Sequence, residues 1–219
     1  MEVLEIEPVK NKKIFLYIIE KEDYKISHVK AKIFEGFLKN YKFDFATIDL
    51  LGKNLKQLNN SPIAKFLEDF SIEFIGIDIP EYAKGYLLGE ISDKKEQIKE
   101  LESEYESLSN DPSGKESFKG QNLKSWIDLL KEEVNDKGQY IKLKVKPQWI
   151  VKKILDRART YKKNSLIILH FSPEKLVPEL QKLFQELKIN VIINDFSTGV
   201  SDRTFDVKNK VIISNQIIK

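Results

Sequence analysis

Cysteine is absent from this chain. That removes disulfides, thiolate metal sites and a cysteine nucleophile, so zinc ribbons, iron–sulfur centres and papain-like chemistry are excluded. Histidine is nearly absent, with only His28 and His170. Two such residues cannot build a multi-histidine metal centre. Arginine occurs only at Arg157, Arg159 and Arg203, so almost all positive charge is lysine. Neither sign of charge is in large excess, since 37 basic and 34 acidic residues leave a net +3. Contact with a polyanion would therefore have to come from a local patch. No apolar run approaches ~18 residues, which predicts no membrane span. The start, Met1 to Glu7, is acidic and has no apolar core of a secretory signal. A cytoplasmic protein is the expectation. Several motifs are missing as well. There is no Gly-x-x-x-x-Gly-Lys-Ser/Thr loop, Gly-x-Gly-x-x-Gly fingerprint, Gly-x-Ser-x-Gly elbow or His-Glu-x-x-His helix. These absences argue against a nucleotide kinase, a nicotinamide dehydrogenase, a serine hydrolase and a zinc protease.

What the chain does contain is enough apolar material for a core: 41% of its 219 residues are hydrophobic and 32% charged. Ile14 to Ile19 is a continuous apolar run. Runs of that kind suit strands covered on both faces, as in parallel sheets. Ile26, Val29, Ile33, Phe34, Phe37, Leu38 and Tyr41 then recur at helical spacing. Phe43 to Asp49 reads as a second strand. Ser61-Pro62 is a good helix start, because serine caps and proline suits the first turn. Ile72 to Asp78 reads as a third strand. The alternation resumes with Leu166 to His170, a helix after Ser172-Pro173, and Val191 to Asp195. Val211 to Ile213 is expected as an edge strand, paired with a segment near Thr204-Phe205. This β-α-β-α-β order predicts an α/β layered domain with a mostly parallel sheet over residues 1–219.

Between the two blocks lies a long helix-prone interval. Ile91, Ile98 and Tyr105 are spaced by seven, with Leu87, Leu101 and Leu108 as a second row that Lys94 breaks. After the turn Ser109–Gly114, a second helix carries Leu123, Trp126, Leu129, Leu130 and Val134. Residues 81–138 are thus read as an inserted, coiled-coil-like helical hairpin that projects from the sheet domain. The alternative is that both helices pack on the sheet.

Ligands of parallel α/β sheets bind beyond the carboxyl ends of the strands. Three predicted strands end in aspartate, at Asp49, Asp78 and Asp195, and a fourth ends in His170. Clustered carboxylates need a cation or a shared proton. Their hard oxygens favour Mg²⁺ or Mn²⁺, which could orient a phosphoester and activate water. Asp49, Asp78 and Asp195 are then the metal ligands, and His170 is the general acid or base. The structural alternative is that the aspartates shape turns or cap helices and that His170 is a hydrogen-bonded histidine.

Residues 142–163 form the most basic stretch. Tyr140 to Lys146 alternates with period two, as an exposed strand or extended linker would. Pro147 is read as the start of a helix whose polar side carries Lys152, Lys153, Arg157 and Arg159. Those four are the candidate nucleic-acid contacts, against the alternative of a solvated face. The strand order and acidic strand ends resemble Rossmann-like domains in general, including metal-dependent nuclease domains. That resemblance implies a divalent-metal-dependent phosphoesterase or nuclease. The competing reading is a non-enzymatic binding or scaffold protein that uses the hairpin and basic helix to contact a protein partner.

Overall fold

The computed structural model describes residues 4, 6–9, 11–20, 28–50, 52, 54–110 and 113–194. The chain divides into two compact units, residues 1–78 with 148–219, and residues 79–147.

The first unit is an α/β layer, as the sequence predicts. Five strands, β1 (Lys13–Glu20), β2 (Phe45–Asp49), β3 (Phe74–Ile77), β4 (Ser165–Ser172) and β5 (Asn190–Asn194), form one sheet. They lie in the order β3-β2-β4-β1-β5, and every pairing is parallel. Successive side chains alternate between faces. Tyr17, Ile19, Ala46, Ile48, Leu169 and Phe171 therefore share one face. They pack with Phe34, Phe37 and Leu38 of α1 (His28–Asn40), Leu58 of α2 (Leu55–Asn59) and Ile63 and Leu67 of α3 (Pro62–Asp69). Aromatic rings dominate this layer. Phe34 stacks on Phe66 at 5.3 Å and meets Phe171 edge-on at 5.6 Å.

Leu16, Ile18, Phe45, Thr47, Ile168 and His170 point to the other face and are fully buried. Right-handed crossovers place the connections that run back across the sheet on that side. They are α6 (Lys146–Thr160) and α7 (Val177–Glu186), whose Ile150, Ile154, Leu155, Leu180 and Phe184 have no exposed surface. Tyr161, just past α6, stacks on Phe45 at 5.1 Å.

Ser61 caps α3 as expected, its Oγ accepting from the Ala64 N–H at 3.2 Å with Pro62 in the first turn. Ser172 does not cap a helix. It is the last residue of β4, and a short 3₁₀ turn, Glu174–Leu176, precedes α7. The helix α2 has no counterpart in the sequence reading. It is five residues long, too short for a periodicity, and rests on an Asn54–Gln57 capping box.

The second unit is a helical hairpin of α4 (Glu81–Ser107) and α5 (Phe118–Tyr140). Its seam is narrow: Ile91, Ile98, Leu123 and Ile127 are buried. Lys94, which interrupts the apolar row, bonds Glu133 across the seam at 2.7 Å. Ser117 caps α5, accepting from the Gly120 N–H at 3.1 Å and donating to the Gly114 carbonyl at 2.6 Å. Position 120 must be glycine on spatial grounds, since a Cβ would come within 2.3 Å of the Lys115 carbonyl.

The extended reading of Tyr140–Lys146 is overturned. The backbone is a π-helical turn over Ile141–Val145 that joins α5 to α6 without a break. Ile141 and Val145 are one helical turn apart and both are buried, so a period-two pattern was satisfied by a helix. Pro147 accordingly does not start a helix. It lacks an N–H and crowds the carbonyl four residues back, and a wider turn just before it relieves both problems. The Lys146 N–H reaches back to the Ile141 carbonyl, as that wider turn requires.

Candidate functional site

The connections leaving β2 and β4 run in opposite directions, toward β3 and β5 respectively. Adjacent strands whose connections diverge make the switch point at which α/β sheets form their crevice. Asp49 and Ser172 end these two strands. Ile48 is level with Phe171, Asp49 with Ile77, and Ser172 with Glu20. The register therefore brings Asp49, Ser172 and Glu20 to one level of the carboxyl rim. Asp78 follows one residue beyond Ile77 and is half-buried, whereas Asp49 is wholly buried.

His170 lies deeper than expected. β4 continues two residues past it, so it is an interior strand residue with no exposed surface rather than a strand end. Its Nδ1 is 2.8 Å from Thr47 Oγ1 and 3.3 Å from the Thr47 carbonyl. A carbonyl only accepts, so Nδ1 carries the proton. The Thr47 hydroxyl accepts from that N–H and points its own proton toward the Leu169 carbonyl, 3.4 Å away. The imidazole is thereby fixed in orientation across the β2/β4 junction. Thr47 escaped the sequence reading because a threonine inside an apolar strand run carries no motif.

Asp195 lies outside the described residues. Among the described residues, no three histidine, aspartate or glutamate side chains are placed to hold a metal ion. Asp49, Asp78 and His170 therefore do not by themselves make such a group.

Three of the four basic candidates on α6 meet acids of their own unit. Arg157 pairs with Glu73 and lies over the Tyr161 ring at 5.4 Å. Arg159 pairs with Asp156 and donates to the Glu7 carbonyl. Lys152 is 3.8 Å from Asp156. Lys153 is exposed. The Tyr161 hydroxyl donates to Glu73 at 2.9 Å. Burial and that carboxylate raise the phenol above its ordinary pKa. The sequence could not show these pairings, because Glu73 is more than eighty residues from Arg157.

A second set of residues was present in the sequence but read only in part. Phe118, Leu129 and Tyr140 are spaced by eleven. At 100° per residue they fall with Trp126 inside an arc of about 80° on α5. They are 82%, 49%, 45% and 61% exposed respectively. On α4, Tyr82 and Tyr86, one turn apart, are 76% and 84% exposed. Lysines of α5 pair with glutamates of α4: Lys119 with Glu104, Lys131 with Glu102 and Lys137 with Glu90.

No protein-family model, no curated protein and no solved structure matches the chain. No described helix is long and apolar enough to cross a membrane.

Proposed function

We propose that this protein is a binding module whose helical hairpin docks a protein partner. The observation that carries this reading is the exposed row Phe118, Trp126, Leu129 and Tyr140 along α5. Large apolar side chains gathered on one face of a helix are costly to leave in water, and aromatic anchors of this kind are enriched at protein interfaces. A protein partner is favoured over a nucleic acid because Lys119 and Lys137, the lysines beside the row, are matched by glutamates, which weakens their pull on phosphates. A photo-reactive residue placed at 126 should cross-link to the partner, and one placed at 124 should not. Trp126→Ser with Leu129→Ser should abolish capture of that partner, while Lys124→Ala should leave it unchanged. Cross-links that are the same from both positions would sink the proposal. Sedimentation of the purified chain separates a different partner from a second copy of itself.

A second reading has its own observation. Asp49, Ser172 and Glu20 share one level at the switch point, with Asp78 beside them. On this reading the rim holds Mg²⁺ or Mn²⁺ and hydrolyses a phosphoester, Asp195 completes the ligand set, and the metal supplies activated water. Thermal unfolding with each ion and with chelator tests it. Stabilisation by the ion that disappears in Asp78→Asn supports the site, and an identical response in parent and variant removes it.

A further inference from the structure

The opposite end of the sheet holds a cleft unrelated to either reading. It opens at the amino ends of β1 and β5 and has a volume of about 330 Å³. Its walls carry Lys12, Lys13 and Lys188 together with Asn11 and Asn190, and no carboxylate is among the described residues that line it. Three of the nine residues lining the cleft are lysines, and an anion is the ligand whose charge they complement.

Backbone geometry adds a second observation. Lys188 follows α7, with φ at 59°. Its N–H bonds the Gln185 carbonyl at 2.9 Å, and the Ile189 N–H bonds the Phe184 carbonyl at 3.0 Å. These two bonds define the left-handed helix stop at which glycine is normally favoured. Lys188 at this stop is one of the residues lining the cleft, and Ser71 ends α3 with the same pair of bonds and φ at 54°. Asn11, on the facing loop, is also left-handed, with φ at 60°. Asparagine tolerates that conformation, and its amide can donate to a ligand.

The three lysines do not play the same part. Lys12 donates to the Ala158 carbonyl at 2.9 Å and to the Tyr161 carbonyl, so it closes the end of α6. Lys13 holds its ammonium 5.1 Å from the Phe15 ring and is exposed. Lys188 is exposed at the lip.

We propose that this cleft binds the phosphate group of a small phosphomonoester. A phosphomonoester offers close to two negative charges and three acceptor oxygens, which suits several lysine point charges better than a singly charged carboxylate. The volume is at the small end of ligand pockets, suited to a molecule of mononucleotide size and not to a polymer.

Titration calorimetry and thermal unfolding of the full chain with AMP, inorganic phosphate and adenosine test the site. AMP and phosphate should both bind and raise Tm, and adenosine should do neither. Lys13→Gln with Lys188→Gly should weaken AMP binding at least ~10-fold, the loss expected for charge-assisted hydrogen bonds. Lys188→Gly alone relieves the left-handed lysine, so its Tm without ligand should stay level or rise while its AMP affinity falls. That pairing separates loss of binding from loss of fold. Absence of any AMP or phosphate response up to about 10 mM, well above ordinary metabolite affinities, overturns the proposal. Equal binding of adenosine, or unchanged AMP affinity in the double variant, overturns it as well.

Discussion

Thr47→Val is the most direct probe of the β2/β4 junction. The substitution keeps the side-chain shape and removes one hydroxyl, in a place where both Thr47 and His170 have no exposed surface. The parent makes an Nδ1–Oγ1 contact of 2.8 Å. Losing a hydrogen bond of that kind costs about 1 kcal/mol net, and leaving a buried donor short of a partner raises the cost to about 1–3 kcal/mol. The Thr47 carbonyl, 3.3 Å from Nδ1, offers the ring a substitute. Thr47→Val should therefore fall near the lower half of that range, at about 1–2 kcal/mol. His170→Leu strands the hydroxyl instead, with only the long 3.4 Å contact to Leu169 in reserve. It should cost about 2 kcal/mol. In the double variant both polar groups of this pair are gone, and neither leaves the other without a partner. It should be less destabilised than the sum of the singles by about 1–2 kcal/mol, the coupling expected for a contacting pair. Urea midpoints, with the m-value held constant, measure all four corners of the cycle. Costs that simply add would show that the two side chains do not depend on each other, and would refute the assignment of Thr47 as the residue that orients His170.

Three further perturbations have definite signs. Gly120→Ala forces a Cβ against the Lys115 and Gly114 carbonyls at 2.3 and 2.6 Å, so the α5 cap must shift. Thermal unfolding followed by far-UV circular dichroism should show a loss of about 1–3 kcal/mol, and a neutral outcome would contradict the cap geometry. Tyr17 has its phenol pushed up to about 12, first by burial and then by the neighbouring Tyr41. The unfolded chain titrates near 10, so this contribution is complete below about pH 10 and is lost as pH rises through 10 to 12. Tyr17→Phe should flatten the stability profile across that window, which urea midpoints at pH 9 and 11 would show. Lys12→Met removes the donor to the Ala158 and Tyr161 carbonyls and should cost about 1–2 kcal/mol. An unchanged midpoint would mean that this lysine does not hold the end of α6.

The α/β layer was legible because continuous apolar runs bounded by polar turns have few other solutions. The helical hairpin was legible because Ile91 and Ile98 keep a seven-residue step and both are buried. The errors have local causes. His170 looked like a strand end because it is the first polar residue after four apolar ones, and the sequence does not reveal that Phe171 and Ser172 extend the pairing to Ile19 and Glu20. Tyr140–Lys146 misled because Ile141 and Val145 satisfy a period of two and a helical turn equally well. The edge strand at Val211–Ile213, its partner near Thr204-Phe205, and Asp195 lie outside the described residues. The pairing of Arg157 with Glu73 and of Lys163 with Asp44 joins residues far apart in sequence. Such pairings depend on topology, which composition and spacing do not carry.

The sheet is polarised along its strands. Asp49, Asp78 and Glu20 gather at the carboxyl ends, and Lys12, Lys13 and Lys188 at the amino ends. Part of this arrangement needs no ligand. In a parallel sheet with helical crossovers, helix N-termini face the carboxyl ends of the strands and helix C-termini face the amino ends. The helix dipole then favours acids at one end and lysines at the other, by about 0.3–1 kcal/mol each. Lys12 fits that account fully, because its ammonium sits on the last carbonyls around α6. Lys188, just past the end of α7, also has the sign that account expects, but it stands at a left-handed helix stop. Glycine at that position would end α7 with the same two backbone bonds and without a left-handed side chain. The dipole accounts for the sign of the charge at this end of the sheet, and a side chain at a left-handed helix stop is not special to it, because Ser71 ends α3 with the same two backbone bonds and φ at 54°. What separates a ligand site from an ordinary helix ending is therefore whether the lysines lining the cleft bind an anion, and not the backbone conformation of Lys188.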